Sequence, residues 1–100
     1  MKKNLGVKPY LMPMPVLIIG TYNENGMANA MNAAWGTLSD SNVVALYLDK
    51  THKTVENIFN KNAFTVGIAN EKTMLSADYV GVVSANKEPN KMEKSGFTAK

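Results

Sequence analysis

Cysteine is absent from this hundred-residue chain, and so is arginine. Without thiols there can be no disulfide staple, no thiolate metal site and no cysteine nucleophile, a composition that fits a cytoplasmic protein. Without arginine the forked, bidentate grip on a phosphate backbone is missing. The eleven basic residues are all lysines, spread along the chain and not gathered on one strip,. The net charge of +3 is therefore read as a solvated lysine-rich surface. That reading excludes a nucleic-acid partner and still allows one or two lysines to hold a small anion. Long apolar runs are also lacking: the longest, Val16 to Gly20, is far too short to span a bilayer, so no membrane partner is expected,. Pro9, Pro13 and Pro15 interrupt any apolar signal core near the N-terminus,. His52 is the single histidine, so a multi-histidine metal site cannot form within one chain and no metal is expected,. There is no GxGxxG or Walker-type loop, no GxSxG elbow and no carboxylate pair at a suggestive spacing,.

What is present is an ordinary globular balance, 45% hydrophobic and 19% charged, without repeat, linker or low-complexity tract,. Residues 1–100 are read as one domain. A proline-punctuated lead-in gives way to Val16–Tyr22 (VLIIGTY), rich in branched residues as a buried strand is,. Asn25-Gly26 marks a tight turn into a second strand, Met27–Trp35, that alternates small apolar residues with asparagines and is ended by Gly36,. Ser39 to Asn42 reads as a turn cluster and Val43–Leu48 as a third strand. A short helix begins near Thr54, with Thr54 as its cap and Val55, Ile58 and Phe59 as its apolar face,. Ala63–Ala69 is a fourth strand. A second helix starts at Asn70–Thr73, with Leu75, Tyr79 and Val82 or Val83 on one face,. Lys87 to Lys100 offers no clear element. The pattern is α+β and mostly β, an antiparallel barrel-like arrangement with short helices. Four strands do not comfortably close a barrel, so further strands or a partner subunit must cover the open edge.

Two segments could carry chemistry. Asn29 to Gly36 (NAMNAAWG) places small side chains where a flat ligand can approach the backbone, beside asparagines that both donate and accept,. The same residues suit a crowded interior: on residue type alone Trp35 reads as a core aromatic, while Asn29 and Asn32 stand between the two roles. Lys50-Thr51-His52-Lys53-Thr54 combines a lysine, hydroxyls and the free amides of a helix start, the parts of a phosphate seat or equally of a capped helix on a polar loop,. Asp78 beside Tyr79 reads as a surface carboxylate next to a core aromatic.

Taken in order, these segments resemble the flavin reductase-like family and its flavoredoxin branch. The resemblance is carried by Pro13-Met14-Pro15-Val16, Gly20-Thr21-Tyr22, the Asn25-Gly26 turn and the stretch from Asn29 to Gly36. It continues through Lys50 to Thr54 with Asn57-Ile58, then Phe64-Thr65-Val66, Ala77 to Gly81 and Lys91 to Gly96. The resemblance implies an FMN-binding split β-barrel, a homodimer with flavin near the interface, and a flavin-dependent oxidoreductase: a flavin reductase or an electron carrier. Asn32, Ala33, Ala34 and Trp35 would border the flavin ring, and Lys50, Thr51, His52 and Thr54 would hold the phosphate end. It assigns no catalytic acid or base, implies NADH or NADPH as donor, and leaves the acceptor unnamed. Asp78 and Gly81 would be architectural. Family members are longer, so further barrel strands would follow Lys100, and Ala85 stands where a glycine is expected after Ser84. The alternative reading is a split-barrel dimerisation module, truncated and non-catalytic, that binds no flavin.

Overall fold

The computed structural model describes residues 2–8 and 13–98. Pro9 of the lead-in and Lys100 lie outside the described residues. The elements are β1 (Leu17–Tyr22), β2 (Ala28–Ala33), β3 (Gly36–Asp40), β4 (Val43–Leu46), α1 (Lys53–Lys61), β5 (Thr65–Ile68), α2 (Met74–Val82) and α3 (Lys91–Ser95). All strand pairing is antiparallel. β1 lies between β2 and β5, and β3 pairs with β4 in a separate two-stranded sheet. The α+β class expected from the sequence is what the chain adopts, but no closed barrel forms among the described residues.

The β1–β2 hairpin is the best-determined part, because residue choice and turn chemistry agree. The Gly26 amide donates to the Asn23 carbonyl at 3.0 Å, and the Asn23 amide donates to the Met27 carbonyl at 2.7 Å. Gly26 sits at φ +83°, a conformation that a Cβ disfavours,. Asn25 keeps a negative φ, so the connection is a turn closed by a single left-handed glycine,. The register that follows sets Leu17 opposite Ala33, Ile19 opposite Met31 and Thr21 opposite Asn29. Leu17, Ile19 and Thr21 face inward, as the two-residue period of a strand requires,. Leu17, Ile19 and Ala33 form the core cluster, with Met31, Leu46 and Leu48 packed against it.

Several elements differ from the sequence reading. The second strand ends at Ala33, not Trp35, and Gly36 opens β3 instead of ending β2. Asp40 is paired with Val43, so the expected four-residue turn shrinks to Ser41 and Asn42, with an irregularity between Leu38 and Asp40. The Gly36 to Asp40 strand was hidden by its polar, turn-like residues; tertiary pairing overrides such local preferences. The α3 helix was also missed, although Asn90 before it and Gly96 after it, at φ +83°, are ordinary start and stop signals,. Asn70 caps the turn Glu71–Thr73 that leads into α2: Thr73 N–H donates to its side chain at 3.1 Å, and its own N–H donates to the Thr73 hydroxyl at 3.0 Å,.

The helix faces match expectation only in part: Val55, Ile58, Tyr79 and Val83 are half-buried, and the fully buried positions are others. On α1 the buried residues are Thr54 and Asn57, while Phe59 is 77% exposed. On α2 the buried residues are Ala77 and Val80, while Leu75 and Val82 are 84% and 77% exposed. Apolar spacing marks a face that some surface covers, and among the described residues nothing covers these. β5 is likewise exposed along its whole length. Described residues therefore bury few large apolar side chains, and Ile19, at 0% exposure, is the largest of them. Ile19→Ala is expected to cost about 2–5 kcal/mol by opening a cavity at the centre of β1, read as a lowered urea midpoint for loss of the circular-dichroism signal.

Candidate functional site

β2 is an edge strand, paired with β1 on one side only. Along it opens a cavity of about 430 Å³, within the roughly 300–1,000 Å³ range of small-molecule sites. One wall is β2 and the bend after it: Asn29, Asn32, Ala33, Ala34 and Trp35. The alanines keep that wall low, so a flat group can come close to strand backbone. Trp35 is 56% exposed and lines the cavity, so the core-aromatic reading is replaced by a surface one. Its carbonyl accepts from the Tyr47 amide at 2.8 Å, which brings Tyr47 to the same cavity.

Asn32 is fixed from the far side. Its Nδ2 donates to the Ala77 carbonyl of α2 at 2.7 Å. Gly81, one turn further along α2, lies so close that a Cβ there would overlap the Asn32 amide. The architectural part expected of Gly81 thus has a physical basis: it lets α2 seat against the wall strand. Asp78, exposed on the same helix, stays outside the cavity.

The second wall is the start of α1. His52 takes the N-cap position in extended conformation, and its side chain makes no capping bond. His52, Lys53 and Thr54 line the cavity. Thr54 is not the cap. It lies inside the first turn, 1% exposed, and its hydroxyl accepts from Asn29 Nδ2 at 3.2 Å. The Lys53 ammonium is engaged by Glu56 at 3.3 Å and Glu24 at 3.6 Å. Lys50 and Thr51 lie outside the cavity. Thr51 is turned toward Asp49, donating to Oδ1 from both its amide and its hydroxyl at 2.8 Å. Those two bonds, the amide's first, hold the Asp49 carboxyl below its ordinary range. Of the eight residues expected to hold the ligand, Asn32, Ala33, Ala34, Trp35, His52 and Thr54 therefore meet at one cavity, and Lys50 and Thr51 do not.

Two further groups belong to the site. Asn29 is 2% exposed, and its Oδ1 has no hydrogen-bond partner among the described residues. A buried acceptor without a partner is costly, and Asn29 lines this cavity as well as the one beside Phe64 and Met92,. Lys91 is only 4% exposed, lines the cavity, and has no ion-pair partner among the described residues. Burial alone lowers its pKa to about 8,. The residue is carried inward by the α3 start, which Glu88 pins. Glu88 Oε1 accepts from the Asn90 amide at 3.1 Å, and Oε2 pairs with Lys94 at 2.9 Å. On sequence alone Lys91 is one lysine among eleven in a segment without a clear element; the helix signals at Asn90 and Gly96 and the family-like Lys91 to Gly96 segment point to it, but neither gives it a role.

The chain is thus a small α+β fold of antiparallel sheets with a ligand-sized cavity on an edge strand. No family model matches it, and no curated protein does. Solved structures do. The fold is that of the FMN-binding flavin reductase-like class: a structure of an FMN-binding domain of a flavin reductases-like enzyme from Shewanella baltica aligns at TM-score 0.77 and 25% identity, over 86% of this chain and 47% of that one. Within this class the likeness extends to flavoredoxin. The flavoredoxin of Desulfovibrio vulgaris (Miyazaki F) aligns at TM-score 0.88 and 34% identity over 98% of this chain and 54% of its own. Flavoredoxin from Methanosarcina acetivorans aligns at 0.72 and 31%, over 100% and 53%. The resemblance read from the sequence is shown: this chain is a relative of the flavoredoxin and flavin reductase-like proteins, and it spans about half the length of the structures it matches.

Lys91 has a pH signature. Between about pH 8 and its ordinary value of 10.5, the unfolded chain keeps a proton on Lys91 that the folded chain has released. Stability rises with pH wherever the unfolded state binds more protons, so this group stabilises the unliganded protein progressively across that window. Lys91→Met is expected to remove that contribution and to be the more stable protein at pH 7, where the wild type buries the charge. Urea midpoints of both proteins at pH 7 and pH 10 check it: the advantage of the variant must shrink at the higher pH.

Proposed function

We propose that the cavity along β2 holds FMN and that the chain acts in flavin-dependent redox chemistry, as an NAD(P)H-dependent flavin reductase or a flavoredoxin-like electron carrier. One observation carries this reading: a low wall of small residues, the first turn of a helix and a buried lysine without an ion-pair partner among the described residues all line one cavity. The names of the aligned structures agree with it, being flavoredoxins and an FMN-binding domain. The residues fit the group. Asn32, Ala33, Ala34 and Trp35 would border the ring. The uncapped first turn of α1 at His52 and Thr54 would receive the phosphate, since free helix-start amides attract anions. Lys50 and Thr51 would join them only if the Asp49 turn opens. Asn29 Oδ1 would accept from a ring N–H, and the unpaired backbone edge of β2 offers further donors and acceptors.

When bound, the flavin supplies the hydride or electron transfer. The protein's own part is to orient and to hold charge. Lys91, protonated below pH 8, would offset negative charge on a ligand in a poorly solvated place, where one unit charge counts for more than in water,. The finer fold assignment, a split barrel with flavin near a homodimer interface, is part of the same proposal, as is a cytoplasmic site of action. Its support is the uncovered apolar surface on β3, β4 and β5, including Leu38, Val43, Val66 and Ile68. No helix of the described residues is long and apolar enough to cross a membrane.

That same surface favours a second reading, a dimerisation module without flavin. An absorbance spectrum and a thermal scan, each with and without FMN, separate the two. Flavin binding predicts a yellow protein, and a stabilisation of about 2.7 kcal/mol when free FMN is one hundred times Kd. A colourless oligomer whose unfolding ignores saturating FMN would establish the second reading instead.

A further inference from the structure

α1 carries two fully buried side chains, and both are polar: Thr54 at 1% and Asn57 at 0% exposure. Asn57 makes the more directional contact. Its Nδ2 donates to the Thr21 hydroxyl of β1 at 3.0 Å and to Asn23 Oδ1 in the hairpin turn at 2.8 Å. Thr21 is the cross-strand partner of Asn29, and Asn29 in turn donates to Thr54. The four residues form one buried seam between the helix and the hairpin. Apolar contacts on this helix are half-buried at Val55 and Ile58 and lost at Phe59, so they resist sliding or rotation only weakly,. An amide with both donors engaged fixes register and rotation together. Asn57 lies four residues beyond Lys53, roughly 6 Å along the axis from the first turn.

We propose that Asn57 is a positioning residue that sets the first turn of α1 against the cavity and so, on the flavin reading above, makes the site select phosphorylated over unphosphorylated flavin. It touches no ligand itself, since it does not line the cavity. β2 is held by its six-residue ladder with β1 whatever the helix does. Loosening the seam therefore displaces the His52–Thr54 turn and leaves the ring wall in place.

The test compares FMN with riboflavin, which lacks the phosphate, on the full chain by fluorescence titration. Asn57→Ala is expected to weaken FMN by on the order of tenfold, the scale of one hydrogen bond to a charged group, and riboflavin by less than about threefold on the same reasoning. Thr21→Val and Asn23→Ala remove one acceptor each with less damage to the fold, and should shift the same ratio in the same direction. Equal weakening of both flavins, or no change in FMN affinity in the variants that fold, overturns the proposal. Amide hydrogen exchange gives an arm that needs no flavin. Faster exchange confined to the amides of Val55 and Glu56, which both donate to the His52 carbonyl, with those of Ile18 and Ile19 unchanged, supports the positioning role; acceleration throughout the chain, or none, overturns it. If the wild type takes up neither flavin, the flavin reading falls and the exchange pattern alone decides the role of Asn57.

Discussion

Amides and hydroxyls, more than apolar side chains, fasten the helix Lys53–Lys61 to the β1–β2 hairpin. Thr21, Asn29, Thr54 and Asn57 are all 5% exposed or less, and three side-chain bonds tie this seam together with Asn23. A buried polar group is costly when unpaired and directional when paired, so such a seam specifies an arrangement more than it adds stability. It is also incomplete. Asn29 Oδ1 and Asn57 Oδ1 are both without a partner among the described residues. Asn29 also lines the cavity, so the residue that helps dock the helix is itself part of the site wall.

The second dependence is on β2 remaining an edge. A strand paired on both sides would have no backbone left to offer a ligand, and the cavity along Asn29 to Trp35 would close. Edges are liabilities unless covered. Here α2 and α3 and the start of α1 gather around this one, and each brings a polar group: the Ala77 carbonyl that holds Asn32, the Lys91 ammonium, and the uncapped first turn after His52. Among the described residues, β5 and the β3–β4 pair have no such cover. Their exposed Val, Leu and Ile side chains are the counterpart of a core that is small for a hundred residues,.

Much of this was legible in the residues. The Asn25-Gly26 turn, the first two strands, the helix after His52, the strand near Val66 and the helix after Asn70 all announce themselves by turn chemistry and periodicity,. The Asn-Ala-Met-Asn-Ala-Ala-Trp stretch announced a flat wall. What misled was the assumption that apolar spacing marks the buried side. Val55, Ile58 and Phe59 do lie at helical spacing, yet the fully buried residues are Thr54 and Asn57. Phe59, Leu75 and Val82 instead mark surface that the described residues leave open. β3 escaped notice because its residues are as suited to a turn as to a strand, and only the partner strand decides between them.

The sequence by itself determined most of the local elements, the absence of thiol and multi-histidine chemistry, and the family likeness, because these follow from residue type and short spacing. The tertiary structure alone decided which polar residues are buried and which lysine counts. Lys91 lies 59 positions from Asn32 and 37 from Thr54 in the sequence numbering, yet all three line one cavity. Its altered protonation comes from desolvation, a property of the packed surroundings that no run of neighbouring residues encodes,.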